Sequence, residues 1–146
     1  STLFPYTTLF RSMNIALVNR IPEAKKKIKE DAYARMVKAV NAVRNETLVT
    51  LSGNRSGRTY FVPGTMRTYT ASSPGEPPAV ATGQLRQSVR TQVDNSSSMI
   101  IGYVGSTLIY APCLEFGTRK MAARPWLKKS FEKTDLRKIL GEKCQL

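Results

Sequence analysis

The amino-acid sequence predicts an α+β fold: a long N-terminal amphipathic helix, an antiparallel β-sheet of about four strands with a projecting hairpin, and a C-terminal helix. Two observations support this prediction. Between residues 21 and 51, apolar and small residues recur every three or four positions, which is the spacing of one helix face. After residue 58, short runs rich in β-branched and aromatic residues alternate with turn signals. The 146 residues, 41% of them hydrophobic, suffice for one core but not for two.

The first predicted helix covers residues 21 to 51. Pro22 is expected in its first turn, where the missing N–H of proline leaves no hydrogen bond unmade, and Gly53 is expected just beyond its end. A helix of this length spans about 45 Å. We therefore expect it to contact both its own sheet and a neighbouring subunit. Its apolar stripe consists of Ala24, Ile28, Ala32, Met36, Val40, Val43, Thr47 and Leu51.

The predicted strands form two antiparallel pairs. The first pair flanks Pro63 and Gly64, because the fixed φ of proline and the tolerance of glycine for positive φ favour a tight turn. The second pair, residues 89–94 and 99–104, is joined by the polar segment DNSSS. Between the pairs, Thr82 is a candidate cap for a short helical turn, although the pattern leaves helix and strand open there.

The C-terminal helix is expected to begin at Pro125. Leu127 and Phe131 lie four residues apart, which predicts that both face its inner side. Thr134 and Asp135 can divide this helix into two segments.

The charge of the chain is strongly positive and unevenly placed. Its 23 Lys and Arg residues outnumber its 10 Asp and Glu residues, for a formal net charge of +13. The excess lies in residues 20–58 and 113–146, whereas the middle of the chain is nearly neutral. Such a field favours non-specific contact with a polyanion through counterion release, although a solvated helix face explains any single lysine equally well. The candidates for contact with DNA are Lys25, Lys26, Lys27, Lys29, Arg55 and Arg58.

The residue content argues against catalysis and against a resident cofactor. The chain has no histidine, which excludes Ser-His-Asp and Cys-His nucleophile systems and His-ligated zinc. Its acidic residues do not cluster at metal-ligand spacing, and its glycines do not form the phosphate-binding loop GxxxxGK(S/T). We therefore expect no enzyme activity, no cofactor and no metal site.

Two further features bear on location. No apolar run approaches the roughly 20 residues that a membrane-spanning helix needs, so we expect no membrane contact. Cys113 and Cys144 form no disulfide framework, which favours assembly in a reducing cytoplasm. Cys113 itself is interpreted as a small buried hydrophobe.

Two residues near the end of the chain predict contacts. Glu115 lies in a mostly apolar segment, where an ionised carboxylate needs a partner such as Arg119 or Arg124, so its predicted role is an ion pair or a subunit contact. Trp126 is the only tryptophan and predicts an anchor, either in the core or at an interface.

The start of the chain has an unusual composition. Residues 2–12, TLFPYTTLFRS, resemble the in-frame translation of a common DNA-sequencing adapter, and Met13 follows directly, although a short edge strand or a tail is the alternative. We therefore expect residues 1–12 to be a non-native extension and residues 13–146 to form a single domain. Within that domain, residues 71–83 form an arm with three prolines and two glycines, and residues from about 141 to 146 form a tail.

Four segments in order, SGRTYF, ASSPGEPPAVATGQLRQSV, YAPCLEFGT and MAARPWL, resemble the tail-completion or head-tail joining proteins of long-tailed bacteriophages, which are also described as neck or minor tail components. The resemblance covers roughly residues 21 to 131. Its most specific pieces are SPGEPP with TG behind it, and YA through EFGT followed by ARP. Two residues depart from the pattern and leave the packing around YAPCLEFGT open: Cys113 stands where an aromatic is frequent, and Trp126 where phenylalanine is usual.

The resemblance implies a virion structural protein without catalytic activity. Such a protein assembles in the host bacterial cytoplasm and forms part of a homo-oligomeric ring at the head-tail junction, joining the tail to the connector around the DNA channel. The implied partners are further copies of the chain, the connector and tail-tube proteins, and non-specifically the genomic DNA. A closed ring also needs heterologous contacts, in which one patch on a subunit meets a different patch on the next.

The arm is the first candidate for such a contact, because prolines lower the conformational entropy that an extended segment loses on docking. We expect residues 74–80 to dock near Glu115, Phe116 and Arg124 of the same or the adjacent subunit; a rigid loop within one subunit is the alternative. The predicted interface residues are Pro74, Gly75, Glu76, Pro77, Pro78, Glu115, Phe116, Arg124 and Trp126.

A stand-alone basic nucleic-acid-binding domain is the alternative function. Such a domain shows aromatic residues interleaved with basic ones, or a recognition helix. The first predicted hairpin weakly satisfies the first condition with Tyr60, Phe61, Arg67 and Tyr69.

Overall fold

The computed structural model describes the backbone of residues 6–141 and the side chains of residues 21–141. The predicted extension, residues 1–12, and the predicted tail beyond residue 141 lie outside the residues described in full. The α+β prediction is confirmed, with a long N-terminal helix, four strands and a C-terminal helical region. The elements in chain order are α1 (Tyr6–Ser52), β1 (Thr59–Phe61), β2 (Thr68–Thr70), α2 (Gln84–Ser88), β3 (Val89–Asn95), β4 (Ile100–Ser106), α3 (Ala111–Phe116), α4 (Leu127–Lys133) and α5 (Leu136–Leu140).

Helix α1 has an exposed part and a buried part. Residues 21–30 are all exposed, and the predicted stripe is exposed there and at Ala32. The helix ends at Ser52, so Gly53 lies just beyond it as predicted. The stripe is buried only in the second half of the helix, at Val40, Val43, Thr47 and Leu51.

The N-terminal boundary of α1 differs from the prediction. The helix begins at Tyr6, and Pro22 lies inside it rather than in its first turn. Proline keeps a helical φ, so a helix can continue through it while losing the hydrogen bond to the carbonyl four residues earlier. A proline is therefore compatible with the start of a helix, but it does not require that a helix start there.

The four strands form two separate two-stranded antiparallel sheets rather than one continuous sheet. Strand β1 pairs with β2, Thr59 opposite Thr70, and β3 pairs with β4, Val89 opposite Ser106. All three residues of β1 are exposed, so the first hairpin projects from the body of the protein. Its turn is the one expected from Pro-Gly: the Thr65 N–H donates to the Val62 carbonyl at 3.1 Å, and Gly64 has a φ of +75°.

The second sheet packs against α1 at Gly102. A Cβ atom at this position would lie 2.4 Å from Val40 Cγ1 and 2.8 Å from Met36 Sδ, which is closer than side chains can approach. Only a residue without a side chain therefore lets β4 approach the helix this closely. Buried or half-buried residues alternate with exposed ones over the first five residues of each strand, as a half-buried sheet requires.

The core lies where α1, β3, α3 and α4 meet. Leu51, Val89, Ala111 and Trp126 form its centre. The Trp126 indole N–H donates to the Ala111 carbonyl at 3.5 Å, so the polar end of this ring has a partner inside the core. The partly buried residues packed against this centre are Leu48, Leu85, Val104, Leu108, Leu114 and Leu127.

The short helices α2, α4 and α5 test two predicted helix boundaries. Helix α2 begins at Gln84, directly after Gly83, which has a φ of +78°. Among the described residues no side chain caps this helix, so the prediction that Thr82 is its cap is wrong. The helix begins one residue later than a cap at Thr82 requires. The C-terminal helix is divided at Thr134 and Asp135 as predicted. The Asp135 side chain caps α5 by accepting a hydrogen bond from the Lys138 N–H at 3.1 Å.

Candidate interaction site

The Pro/Gly-rich arm is held by its own turn and by one carboxylate. The Glu76 N–H donates to the Ser73 carbonyl at 3.0 Å across Pro74 and Gly75, and Gly75 has a φ of +81°. The Glu76 carboxylate accepts hydrogen bonds from the Ser56 hydroxyl at 2.6 Å, the Ser73 N–H at 3.0 Å and the Ser56 N–H at 3.2 Å. These bonds, the Ser56 hydroxyl first, lower the pKa of Glu76 to about 2.

Arg55 fixes the middle of the arm, at Pro78, to the end of α1. Its Nε and Nη2 donate to the Pro78 carbonyl at 3.2 and 3.1 Å, Nη2 also donates to the Thr50 carbonyl at 2.6 Å, and Nη1 donates to the Asn54 carbonyl at 2.9 Å. Burial lowers the pKa of Arg55, and the Glu76 carboxylate partly offsets this. Every guanidinium nitrogen is thus engaged within the chain, so Arg55 belongs to the fold and is not a free cation for DNA.

The other side of the arm is joined to the segment before α4. The Gly75 N–H donates to the Ala123 carbonyl at 3.1 Å, and Lys129 Nζ donates to the Gly75 carbonyl. Arg124 Nη1 donates to the Ser72 hydroxyl at 2.7 Å. The arm therefore docks near Arg124 of its own chain, which is one of the two predicted alternatives. These contacts describe a rigid intramolecular loop.

Glu115 does not form the predicted ion pair. Its carboxylate accepts hydrogen bonds from the backbone N–H groups of Trp126 at 2.8 Å, Leu127 at 3.0 Å and Lys128 at 2.9 Å. These are the N–H groups that the first turn of α4 leaves unpaired, so the charge is satisfied by a helix start instead of an arginine. Trp126 is 2% exposed, so it lies in the core, which is one of its two predicted places.

Helix α3 presents an apolar face to solvent. Ile109 and Phe116 are 95% and 82% exposed, and Pro112 and Cys113 between them are exposed as well. Pro112, Cys113 and Phe116 share the outer side of α3, and Ile109 lies just before the first residue of this helix. We call these four residues the α3 face. The prediction that Cys113 is buried is wrong, because Ala111 and Leu114 occupy the inner side of this helix.

The tip of the first hairpin is a second exposed apolar surface. Phe61 is 74% and Met66 is 99% exposed. Behind them, the rings of Tyr60 and Tyr69 lie 6.1 Å apart across the strand pair and stiffen it. Sequence reasoning identified Phe116 as an interface candidate but missed Ile109 and Met66, since a single apolar residue in a turn carries no periodic signal.

The exposed part of α1 carries the predicted basic cluster. Lys25, Lys26, Lys27 and Lys29 all lie in the segment 21–30, where every side chain is exposed. Lys26 lies 3.9 Å from Glu30 in a solvent-exposed pair that contributes little to stability. Arg58 is exposed as well, so five of the six predicted DNA candidates have free access to solvent.

Three further findings concern metal binding, membrane crossing and similarity to known proteins. In the part of the chain that the structure describes, no group of three or more Cys, Asp or Glu residues is placed to hold a metal ion. Within the same residues, no helix combines the length and the apolar character needed to cross a membrane. Compared with models of protein families, with curated proteins and with solved structures, the chain matches none of them.

Proposed function

We propose that this chain is a structural subunit of the ring at the head-tail junction of a long-tailed bacteriophage, where it joins tail and connector around the DNA channel. One observation supports this proposal beyond the resemblance of sequence. Among the residues whose side chains are described, seven hydrophobic residues are buried and sixteen large apolar residues are exposed. Exposed apolar residues that lie together in a patch are typical of a site where a partner binds.

The two exposed apolar surfaces suit a ring. A closed ring needs two different complementary patches on each subunit, and the hairpin tip and the α3 face are two different patches. All three phenylalanines whose side chains are described, Phe61, Phe116 and Phe131, are exposed. Aromatic side chains of this kind contribute most of the binding energy at many interfaces.

The basic part of α1 suits a position beside DNA. Lysine side chains on an exposed helix contact phosphates without reading bases, which is the type of contact that a passing genome permits. In this proposal the chain has no catalytic role and needs no cofactor; its partners are its own copies, the connector and the tail tube.

The test is the state of assembly of the purified chain. Size-exclusion chromatography with light scattering should show discrete rings, or a monomer that assembles when connector and tail-tube proteins are added. A chain that remains a monomer in the presence of both partners would rule out the proposal.

A stand-alone nucleic-acid-binding domain is the second candidate, and the lysine cluster of α1 favours it. This function predicts tight binding of DNA by the monomer, with affinity that falls steeply as salt rises. Replacing Lys25 and Lys29 together with glutamine should reduce the salt slope by about two, while the matched replacement of Lys128 and Lys138 with glutamine should leave it unchanged. If the two double variants bound DNA with the same salt slope, this result would contradict a role for α1.

A further inference from the structure

A cavity of about 260 Å³ lies between the end of α1, the last residues of the arm, α2 and α3. Among the described residues, those with a charge that line it are Arg86 and Arg124, and none is acidic. The hydroxyl-bearing rings of Tyr69 and Tyr110 lie in the same wall. A pocket that concentrates two guanidinium groups without a carboxylate is poised for an anionic ligand.

Each of the two arginines has guanidinium N–H groups that make no hydrogen bond within the described residues. Arg86 uses Nη1 to donate to the Ser52 hydroxyl at 3.0 Å, and Arg124 uses Nη1 to donate to the Ser72 hydroxyl at 2.7 Å. Arg124 Nε is buried and has no hydrogen-bond partner among the described residues. Because these partners are neutral hydroxyls, neither guanidinium has its charge neutralised within the described part of the chain.

The backbone beside the cavity is also unpaired. Within the described residues, the N–H and carbonyl groups of Ala79, Val80, Ala81 and Thr82 make no hydrogen bonds. Val80 is exposed, and these four residues line the cavity together with Pro78, whose carbonyl is held by Arg55. A segment with open backbone groups next to a cationic pocket can pair with an extended peptide that carries an acidic side chain.

We propose that this cavity binds the carboxylate of an acidic peptide segment from another protein chain, with Arg86 and Arg124 holding the carboxylate and residues 79–82 pairing with the peptide backbone. The inference goes beyond the proposed function, since it needs one folded monomer and no ring. The volume admits one or two side chains, whereas a sugar-phosphate backbone needs an open groove. Leu51, Leu85 and Leu114 give the cavity apolar walls, and a charge-assisted hydrogen bond is stronger beside such walls than in open water.

The test is titration of the full chain with blocked hexapeptides, followed by NMR and calorimetry. One peptide carries a central glutamate in a Val/Thr sequence, and its control carries glutamine at the same place. We expect the glutamate peptide to bind at least about tenfold more tightly, since charge-assisted hydrogen bonds exceed neutral ones by roughly that amount. Equal binding of the two peptides, or no binding of the glutamate peptide, would overturn the proposal.

Variants locate the site. Arg86→Gln and Arg124→Gln should each weaken binding of the glutamate peptide about tenfold, whereas Arg67→Gln, an equal change of charge on the projecting hairpin, should not. Because Arg124 also holds Ser72, circular dichroism must show that its variant is folded; the exposed Arg86 provides the test if it is not. A loss shared by Arg67→Gln, or tighter binding of a single-stranded oligonucleotide at the same residues, would overturn the peptide assignment.

Discussion

The Pro/Gly-rich arm and helix α3 differ in where their interaction partners lie. The turn of the arm, its carboxylate and its Pro78 carbonyl all bind groups of the same chain, through Ala123, Ser56 and Arg55. Helix α3 is apolar on its outer side, where Phe116 contacts solvent beside Ile109, which lies just before the helix. The difference shows that proline content predicts rigidity, whereas an exposed apolar face indicates where a partner can bind.

The arm and α3 differ in this way for energetic reasons. A proline-rich loop lowers the entropy of the unfolded chain, and its hydrogen bonds then fix it to the nearest backbone, which belongs to its own subunit. A short helix with one buried and one exposed apolar side gains from burial on the first side only. The second side retains apolar area that association can remove from water.

The largest expected effect is on the arm, at Arg55. Arg55→Ala removes the donors to the Pro78 and Thr50 carbonyls, so we expect the free energy of unfolding to fall by about 2–3 kcal/mol. Urea denaturation measures this change. Arg58→Ala is the matched control, since Arg58 is exposed and its side chain makes no hydrogen bond within the described residues. A similar loss in both variants would show that the arm is held by something other than Arg55.

The next effect is the pH dependence that Glu76 confers. Its pKa is about 2 in the folded chain, below the ordinary value of 4.5, so its contribution to stability is fully present above pH 4.5 and is lost as the pH falls towards 2. The difference in free energy of unfolding between the native chain and Glu76→Gln should therefore shrink over that interval.

Ser56 provides the internal check on this pH effect. Its hydroxyl is the strongest of the groups that lower the pKa of Glu76, so Ser56→Ala should reduce the pH dependence without abolishing it. Urea denaturation at several pH values between 6 and 2.5 measures both variants. A constant difference between the native chain and Glu76→Gln across this range would contradict the role assigned to the carboxylate.

The sequence predicted elements better than their contacts. The buried half of α1, the Pro63-Gly64 hairpin and the break at Thr134 all follow from local periodicity and turn chemistry, which act over a few residues. The cap that Glu115 gives to α4 joins groups 11 to 13 positions apart, and no local pattern encodes it. The separation into two sheets also depends on tertiary packing, because each strand pair is locally complete.

The candidate site shows the same limit in a sharper form. Arg55 and Lys25 are both basic residues in a basic stretch, yet one is engaged with three backbone carbonyls and the other is exposed. Composition cannot separate them, since the difference lies in the arm that passes beside Arg55. Likewise Cys113 and Leu114 are adjacent apolar residues, and only the phase of α3 decides which of them faces solvent.

The smallest expected effect on stability, and the clearest on assembly, is at Phe116. Phe116→Ser should change the free energy of unfolding by less than about 0.5 kcal/mol, because the ring is 82% exposed. If the α3 face is an interface, the same change should weaken association at least about tenfold, as for an aromatic residue at the centre of a contact. Light scattering across a dilution series measures this shift.

Val49→Ser is the control for that prediction. Val49 lies in the second half of α1, and its side chain is 64% exposed. It belongs to neither the hairpin tip nor the α3 face. This change therefore removes an exposed apolar side chain from a different surface. Equal weakening in both variants would mean that general surface hydrophobicity drives association. Weakening in Phe116→Ser alone would assign the contact to α3, because Val49→Ser also replaces an exposed apolar side chain with serine but does so on another surface.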